Sequence, residues 1–496
     1  MSGPAFTADD FLNRATGERT FDANRVVSAG KMYQLAEQPW WIWANFHAPQ
    51  KEKQKTDTPW DRYLMQLGQE FGEETARTLY PEARAISTRP WEERSLTATI
   101  EAMMQGAEAI TEGTLWDLET EVYGAADILV RFDDYPSDLG DYHYRVIEVK
   151  QSSEVKDYAV LQAGLYNRIL GRIQGYTPPE FEILLEDGSR NAVSRKDTDG
   201  ELDRKLDLLR KLRDEDNEPA RPGHGAGKDP WGKYCDQLLE EDLDVVLLPG
   251  VGPGKRSDFL EAFGTASIRD LFGKSVDEFV DAFGPDRGVR TWAHVEAYRR
   301  NAPVPIPGTT LDIPHPARRL YYDFENTTPG FGEMDEHVYM IGVYDPDRDD
   351  FQCLTTRGAA DEKKMFEDFR ALVGDIESVR LFHWHSHETG VMRNQVAVRH
   401  PELSPILQEL IRASIDLKEV IKSAIALPVP TYSIKSVAPL AGFNWSQDDV
   451  DGMSSQLYYA ETVRTGNPAP LDKVIQYNRE DCVSMWKVQE WVEGRD

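Results

Sequence analysis

The sequence predicts a multidomain α/β protein, and three observations support this. The chain has 496 residues, enough for two to four domains of ~100–200 residues each. Strand-like segments alternate with segments of helical periodicity, and 40% of the residues are hydrophobic, enough to build buried cores. No apolar run reaches the ~18 residues that a membrane helix needs, and no basic and apolar leader opens the chain. A protein of the cytoplasm that does not enter membranes is therefore expected.

The chain is strongly acidic. It contains 86 Asp and Glu against 56 Lys and Arg, a formal net charge of -30 that is spread along the whole sequence. Such a charge repels nucleic acid in ordinary salt, but at ~1 M salt the Debye length falls to about 3 Å and short-range contacts decide binding. The composition favours a halophilic protein, for which acidity does not exclude a nucleic-acid partner.

Cysteine chemistry is restricted to three residues, Cys235, Cys353 and Cys482, which lie far apart in the sequence. This number excludes a disulfide scaffold, a four-cysteine zinc site and an all-cysteine iron–sulfur cluster. No iron–sulfur cluster is therefore expected.

Composition divides the chain into five parts. Charged and Pro/Gly-rich stretches are typical of connectors, and they separate three segments of mixed helix and strand character. The expected parts are a first domain, a charged linker, a segment of short helices around a Gly/Pro turn, a Pro-rich linker and a final domain, at residues 1–205, 206–240, 241–300, 301–315 and 316–496.

The first candidate site lies on a predicted hairpin. Asp127 is on a strand at 124–132, and Glu148 and Lys150 are on its partner at 142–150, where alternation puts both side chains on one face. Two carboxylates on neighbouring strands suit Mg²⁺ or Mn²⁺, and a lysine beside them could orient the attacking water. The alternative is a solvated hairpin with an ordinary ion pair.

A helix follows this hairpin and places Gln162 and Tyr166 one turn apart. The pieces Gly-x-x-Asp127, Glu148-x-Lys150 and Gln162-x-x-x-Tyr166, in this order, resemble the RecB-type branch of the PD-(D/E)xK nucleases. The resemblance implies that Asp127 and Glu148 bind a metal ion and that Lys150, Gln162 and Tyr166 assist hydrolysis.

One position departs from that family. An earlier helix usually supplies a His followed by Glu, and here Gly72 stands where the His is expected, followed by Glu73. Either Glu73 serves as a metal ligand or this site is weakened.

The middle segment contains Gly250, Gly252 and Gly254, followed by Lys255 and Arg256. This pattern resembles a helix–hairpin–helix, in which exposed backbone N–H groups and nearby cations bind phosphate without sequence preference. The alternative is a helical hairpin that packs two domains together and does not contact nucleic acid.

The last block begins with a strand at 318–325 that carries Asp323 and Glu325. Strands at 338–344 and 350–356, a helix at 359–373 and a strand at 379–384 follow, and this β-β-β-α-β order is that of ribonuclease H-like folds. A helix near the C-terminus carries Tyr477 and Asp481.

These residues resemble the DnaQ-like 3′–5′ exonucleases of the ribonuclease H superfamily. The resemblance implies that Asp323, Glu325 and Asp481 bind two metal ions and that Tyr477 orients or deprotonates the attacking water. Glu388 stands where the family normally has an Asp. Secondary candidates are two supporting residues and a histidine group that could bind zinc or cover the acids, namely Asp416, Lys435, His383, His385 and His387.

Nearly the whole chain resembles a family of RecB-like nucleases. Members join a PD-(D/E)xK restriction-endonuclease-like core, through a helix-hairpin-helix segment, to a YprB-type ribonuclease H-like domain with a mixed sheet. The resemblance implies hydrolysis of phosphodiester bonds with Mg²⁺ or Mn²⁺ at two acidic centres, on DNA and at single-stranded ends. Two alternatives are a nucleic-acid-binding or scaffold protein with one or both centres inactive, and an RNA-processing exonuclease.

Overall fold

The computed structural model describes residues 6–55, 57–226, 230–328, 334–447 and 450–494. The described residues form two compact units. The first unit takes in those within 1–56, 61–222 and 228–234, and the second those within 57–60, 223–227 and 235–496. Both contain helices and mixed sheets, which confirms the predicted α/β class.

A seven-stranded sheet organises the first unit. Its strands are β1 (Val27–Ser28), β2 (Arg84–Ala85), β3 (Ala109–Asp117), β4 (Val122–Phe132), β5 (His143–Lys150), β6 (Glu180–Leu185) and β7 (Arg190–Ser194). The order is β2-β3-β4-β5-β6-β7, with β1 paired to β4. Strands β3, β4 and β5 form an antiparallel meander, whereas β6 runs parallel to β5. The parallel pair needs a crossover, which a helix provides.

The helices in this part of the chain are α1 (Ala8–Thr16), α2 (Met32–Glu37), α3 (Pro39–His47), α4 (Pro59–Leu79), α5 (Glu93–Met104), α6 (Asp157–Gln174) and α7 (Arg195–Asp214). Helix α6 is the crossover between β5 and β6, and its apolar face (Leu161, Leu165 and Ile169) belongs to the main core together with Val146 of β5. Ile147 and Val149 belong to a second cluster on the opposite face of β5. Glu148 therefore faces α6, as the alternation of β5 requires.

A five-stranded sheet organises the second unit. Its strands are β9 (Arg318–Asn326), β10 (Val338–Asp345), β11 (Asp350–Thr355), β12 (Val379–His383) and β13 (Ser414–Asp416), and a separate pair is formed by β8 (Val304–Pro305) and β14 (Ile425–Ala426). The order is β11-β10-β9-β12-β13, with the first three strands antiparallel and the last two parallel to β9. The predicted β-β-β-α-β sequence of elements is thus present.

Helices surround this sheet and precede it. They are α8 (Gly232–Asp242), α9 (Arg256–Phe263), α10 (Val276–Phe283), α11 (Pro285–Arg300), α12 (Glu362–Val373), α13 (His387–Val391), α14 (Ala397–Arg399), α15 (Ser404–Ala413), α16 (Leu417–Ala424), α17 (Ile434–Val437), α18 (Ser455–Thr465) and α19 (Ala469–Val492). Among the described helices, none combines the length and hydrophobicity required to span a lipid bilayer.

The segments expected as linkers are more ordered than their composition suggests. Helix α7 continues through the start of the expected 206–240 linker, because Leu209 and Leu212 are buried in the first core. The Pro-rich stretch at 301–315 contributes β8, and Val304 and Ile306 pack against α11. Segment 241–300 belongs to the same compact unit as the last domain rather than standing alone. Buried apolar side chains hold these segments in place despite their proline and charge content.

Candidate metal centres

Three acids converge in the second unit. Asp323 and Glu325 are alternate residues of β9 and therefore share a face, and Asp481 approaches them from α19. One carboxylate oxygen of each lies within 4.8 Å of the other two. Within the described residues this is the one such cluster of three His, Cys, Asp or Glu side chains. Sequence positions more than 150 residues apart thus form one oxygen-rich site.

Helix α19 can reach the acids because residue 342 of β10 is a glycine. Gly342 pairs with Asp323 in the sheet, and a Cβ atom at this position would lie only 1.7 Å from Asn478 Oδ1 of α19. The close approach lets Asn478 Nδ2 donate to Asp323 Oδ2 at 2.7 Å, and the Sγ of Cys482 lies 3.7 Å from the Gly342 carbonyl oxygen. The lack of a side chain at position 342 of β10 therefore sets the distance between α19 and the acids.

Two further donors orient the remaining carboxylates. Ser455 Oγ donates to Glu325 Oε2 at 2.8 Å, and Trp445 Nε1 donates to Asp481 Oδ1 at 2.7 Å. Sequence reasoning missed Ser455, Trp445 and Asn478. A signal existed only for Asn478, which adjoins Tyr477 on the same helix.

The buried acids repel each other in the absence of a cation. Burial and the charge of Asp481 raise the pKa of Glu325 to about 8, and burial raises the pKa of Asp481 to about 6 against the opposing effect of Lys435. Burial and the other two acids hold the pKa of Asp323 well above its usual range. A set of carboxylate oxygens with unneutralised charge fits a hard divalent cation such as Mg²⁺ or Mn²⁺.

Tyr477 and Lys435 flank Asp481. The Lys435 ammonium lies 3.6 Å from Asp481 Oδ1 and stacks over the rings of Trp445 and Tyr477 at 3.7 and 4.3 Å. Burial and the neighbouring acids raise the pKa of Tyr477 far above its usual range. The phenol therefore stays protonated at neutral pH, so it can orient a water molecule but is not suited to deprotonate one.

Glu388 lies beside the cluster but outside the group of three. It is buried against His383, with 3.1 Å between Oε2 and Nδ1, and its charge contributes to the raised pKa of Asp323. His387 Nε2 instead contacts Asn326 Oδ1 at 2.9 Å, and His385 has a backbone φ of 95°. Among the described residues, the three histidines do not form a group that could hold one metal ion.

Asp416 has a structural role at the start of α16. Its Oδ1 accepts from the backbone N–H of Glu419 at 3.1 Å, as a helix N-cap does, and from that of His385 at 3.2 Å. Asp416 therefore links the segment that carries Glu388 to α16.

An open cleft of about 420 Å³ gives access to the acids. Its lining includes Asp323, Glu325, Tyr477, Asp481 and Gln456. Solvent can therefore reach the carboxylates through this cleft.

We expect the metal-free protein to lose stability as pH rises from about 4.5 to 8. The pKa of Glu325 is about 8 in the folded protein, against an ordinary value of 4.5. The folded state therefore binds protons that the unfolded state releases in this window, and the free energy of unfolding falls with rising pH. Urea unfolding at several pH values measures this slope, which Glu325→Gln should reduce.

Divalent cations should counteract this loss. At a concentration about 100 times its Kd, Mg²⁺ would stabilise the folded protein by about 2.7 kcal/mol. The gain should be larger at the alkaline end of the window, where the ligands are deprotonated.

For the metal-free protein, equal slopes of unfolding free energy against pH with and without Glu325→Gln would contradict the assigned pKa.

A second acidic centre lies in the first unit. Lys150 Nζ forms an ion pair with Glu148 Oε1 at 2.8 Å and donates to Gln162 Oε1 at 3.2 Å, and Gln162 Nε2 donates to the Tyr166 hydroxyl at 3.4 Å. Asp127 Oδ2 accepts from the backbone N–H of Val149 at 2.7 Å. The structure thus brings together all five residues of the three sequence pieces, on β4, β5 and α6.

Glu148 offers this centre a buried carboxylate oxygen that could bind a cation. Glu148 is only 1% exposed, and among the described residues its Oε2 atom has no hydrogen-bond partner. Burial and the charge of Asp127 raise the pKa of Glu148 to about 8, although Lys150 opposes the shift. A buried oxygen without a partner beside a second carboxylate suits Mg²⁺ or Mn²⁺.

Glu73 and Glu112 extend the acidic group. A cavity of about 330 Å³ is lined by Glu73 of α4, Glu112 of β3 and Asp127. Glu112 has a left-handed backbone with φ of 56°, and burial together with the charges of Asp127 and Glu73 raises its pKa to about 7. Sequence reasoning missed Glu112, because strand alternation does not anticipate a left-handed residue within β3.

The position of Tyr166 explains why residue 124, the first of Gly-x-x-Asp127, is a glycine. A Cβ atom at Gly124 would lie 2.6 Å from the Tyr166 hydroxyl oxygen. Gly124→Ala should therefore displace Tyr166 and lower the free energy of unfolding by about 1–3 kcal/mol. Gly68→Ala in α4 is the matched control, because a Cβ there meets nothing within 4 Å and should be neutral or stabilising. Denaturant unfolding that ranked the two variants equally would contradict this account.

The predicted phosphate-binding glycines lie between α8 and α9. Gly250 has φ of 79°, which favours glycine, whereas Gly252 has an extended backbone that any residue can adopt. A Cβ at Gly252 or Gly254 would meet nothing within 4 Å. Lys255 Nζ donates to the Gly250 carbonyl at 2.8 Å, and Arg256 is paired with Asp244 at 2.9 Å.

Comparisons with known proteins agree with the fold of the second unit. The RNase_H_2 family model, of the RNase_H superfamily, matches residues 320–493, the segment that contains the three converging acids. No curated protein sequence matches the chain. A solved structure of the family B DNA polymerase from the hyperthermophilic archaeon Pyrobaculum calidifontis is similar at 15% identity and a TM-score of 0.25, over 36% of this chain and 25% of that chain. This chain thus spans about a quarter of the polymerase, and such a TM-score does not establish a shared fold. The family match and the sheet order together support a ribonuclease H-like domain in the C-terminal part of the chain.

Proposed function

We propose that the protein is a metal-dependent nuclease that hydrolyses phosphodiester bonds in DNA at single-stranded ends. The observation that carries this proposal is the convergence of Asp323, Glu325 and Asp481 in an open cleft of a ribonuclease H-like domain. Such domains act on nucleic acid, and the carboxylate oxygens fit divalent cations. The preference for DNA and for single-stranded ends comes from the family resemblance of the motifs.

In this proposal each residue of the C-terminal centre has a defined task. Asp323, Glu325 and Asp481 would hold one or two Mg²⁺ or Mn²⁺ ions, which when bound supply Lewis acidity and neutralise charge on the phosphodiester. Asn478, Ser455 and Trp445 keep the carboxylates in place through their hydrogen bonds. The protonated Tyr477 orients the attacking water, and Lys435 places positive charge beside Asp481.

The first unit would contain a second, RecB-type centre. Asp127 and Glu148 would hold Mg²⁺ or Mn²⁺, with Glu73 and Glu112 in reach of the same cavity. Lys150 would orient the water, and Gln162 and Tyr166 position Lys150 through the hydrogen-bonded row on α6. The β3-β4-β5 meander followed by α6 and the parallel strand β6 supports a PD-(D/E)xK-like core.

The experiment is hydrolysis of end-labelled oligonucleotides at high salt, with Mg²⁺, Mn²⁺ or a chelator. Single-stranded DNA, duplex DNA and RNA of the same sequence are compared. We expect cation-dependent shortening of single-stranded DNA and none with the double variant Glu148→Gln/Asp323→Asn. Equal activity of that double variant would reject the mechanism, and faster hydrolysis of RNA would assign the enzyme to RNA processing.

A nucleic-acid-binding protein with inactive centres is the second candidate. The glutamate at position 388 and the glycine at position 72 favour it, since both replace residues that the resembled families use. Binding of oligonucleotides without hydrolysis in any cation would support this candidate.

A further inference from the structure

A cavity rich in positive charge lies within the second unit, apart from the acids. It has a volume of about 490 Å³, and its cations come from the loop before α9, from α11 and from α16. We call it the basic cavity, and its cationic residues are Lys255, Arg287, Arg290, Lys418 and Lys422. No Asp or Glu is among the described residues that line it. This is unusual in a chain with a net charge of -30.

Much of this charge is not neutralised by carboxylates. Arg287 pairs with Asp258 at 2.7 Å and Lys422 with Glu419 at 3.2 Å, both as partly exposed pairs of the kind that contribute little free energy. The Arg290 guanidinium instead contacts the Lys422 carbonyl at 3.5 Å. Lys255 donates to the Gly250 carbonyl at 2.8 Å, and among the described residues neither Lys255 nor Lys418 forms an ion pair. Like charges gathered around one space repel each other unless an anion occupies it.

A short segment of the chain connects the basic cavity to the acids. Tyr432 lines the cavity, and its carbonyl accepts from Trp384 Nε1 at 2.9 Å. Lys435, the residue that contacts Asp481, comes three positions later, so the two Cα atoms lie at most about 11 Å apart. Lys418 also follows Asp416 by two positions, and Asp416 Oδ1 accepts from the backbone N–H of His385, three positions before Glu388. Two short segments of the chain therefore connect the lining of the cavity to the surroundings of the acids.

We propose that the basic cavity binds the sugar–phosphate backbone of the nucleic-acid strand whose end lies at the acids. Cations from three separate elements suit a polyanion with repeated phosphates better than one small anion. This inference rests on the proposed function, because it adds the path of the strand to the site of hydrolysis. In this proposal, Gly250 and Lys255 form one phosphate-binding surface with residues of α11 and α16.

The test measures binding separately from hydrolysis. Fluorescence anisotropy with a labelled oligodeoxythymidine, in a chelator, compares the protein with Lys418→Gln/Lys422→Gln. The matched control is Lys363→Gln/Lys364→Gln, which removes the same charge from α12 of the same unit. We expect the cavity variant to bind about 10-fold more weakly, with a salt slope smaller by about 1.4, the value for two single-strand phosphate contacts. The control should bind as the unmodified protein does.

A small substrate separates the two proposals. The p-nitrophenyl ester of thymidine 5′-phosphate contains one phosphodiester and does not extend into the cavity. The cavity variant should hydrolyse it at the normal rate but shorten oligonucleotides more slowly. Unchanged oligonucleotide affinity and salt slope in the variant, with its fold verified by circular dichroism, would overturn the inference. If the unmodified protein hydrolyses neither substrate while binding still depends on Lys418 and Lys422, the proposed hydrolysis fails and the binding site stands.

Discussion

Asp323→Asn will abolish hydrolysis at the C-terminal centre and at the same time stabilise the metal-free protein. The amide keeps the shape of the side chain and its place beside Asn478, but it removes one of three mutually repelling carboxylates, of which Glu325 and Asp481 are buried. We expect hydrolysis to fall by about 10²–10³-fold, as for loss of one preorganised electrostatic group. The free energy of unfolding should rise, because the amide removes a group whose pKa is raised in the folded state.

Two measurements decide this prediction. Oligonucleotide shortening is followed in a Glu148→Gln background, where the first unit does not contribute, and urea unfolding is followed with and without Mg²⁺. The Mg²⁺-induced stabilisation should disappear in Asp323→Asn. Asp281→Asn, an exposed acid of α10, is the control and should change neither quantity. A destabilised Asp323→Asn protein that still responds fully to Mg²⁺ would contradict the assignment.

Lys150→Met will destabilise the first unit and inactivate its centre. The ammonium lies 2.8 Å from Glu148 Oε1, and Glu148 is buried. At pH 9, above the pKa of about 8 that Glu148 has in the folded protein, removing the ammonium leaves an uncompensated buried charge, which costs about 3–5 kcal/mol. We therefore expect a large loss in the free energy of unfolding, and no hydrolysis in an Asp323→Asn background.

A second substitution separates the effect of Lys150 on stability from its role in hydrolysis. Glu148→Gln added to Lys150→Met removes the unpaired charge, so much of the stability should return while hydrolysis should not. Lys156→Met is the control, because this lysine is exposed at the start of α6. If Lys150→Met unfolds at the same urea concentration as Lys156→Met, the buried ion pair does not have the role assigned to it.

Local patterns in the sequence predicted most of the elements that carry the acids. The spacing of Asp323 and Glu325 places both on one face of β9, and the helical periodicity around Tyr477 and Asp481 predicted α19. Such inferences succeed because strand alternation and helical periodicity depend on neighbouring residues. For the same reason, local sequence patterns alone predicted the order β-β-β-α-β.

The contacts that complete the centres could not be predicted in this way. Ser455 and Trp445 meet the acids only through tertiary packing, and no local pattern identifies them. Glu112 depends on a left-handed backbone within β3. The packing of Val304 and Ile306 was hidden by the prolines around them, which are typical of linkers. Chain composition reports average tendencies, whereas these positions depend on one specific partner.

The glycine at position 342 has a consequence for which substitutions the protein tolerates. Asn478 occupies the volume that any larger residue at position 342 would need, so a bulkier residue there must push α19 outward. Asp481 would move with the helix, whereas Asp323 and Glu325 would remain on the strand. Substitutions at position 342, which pairs with Asp323, would then weaken cation affinity before they unfold the domain. If α19 moves in this way, we expect variants that fold normally but need millimolar rather than micromolar Mn²⁺ to fill the site.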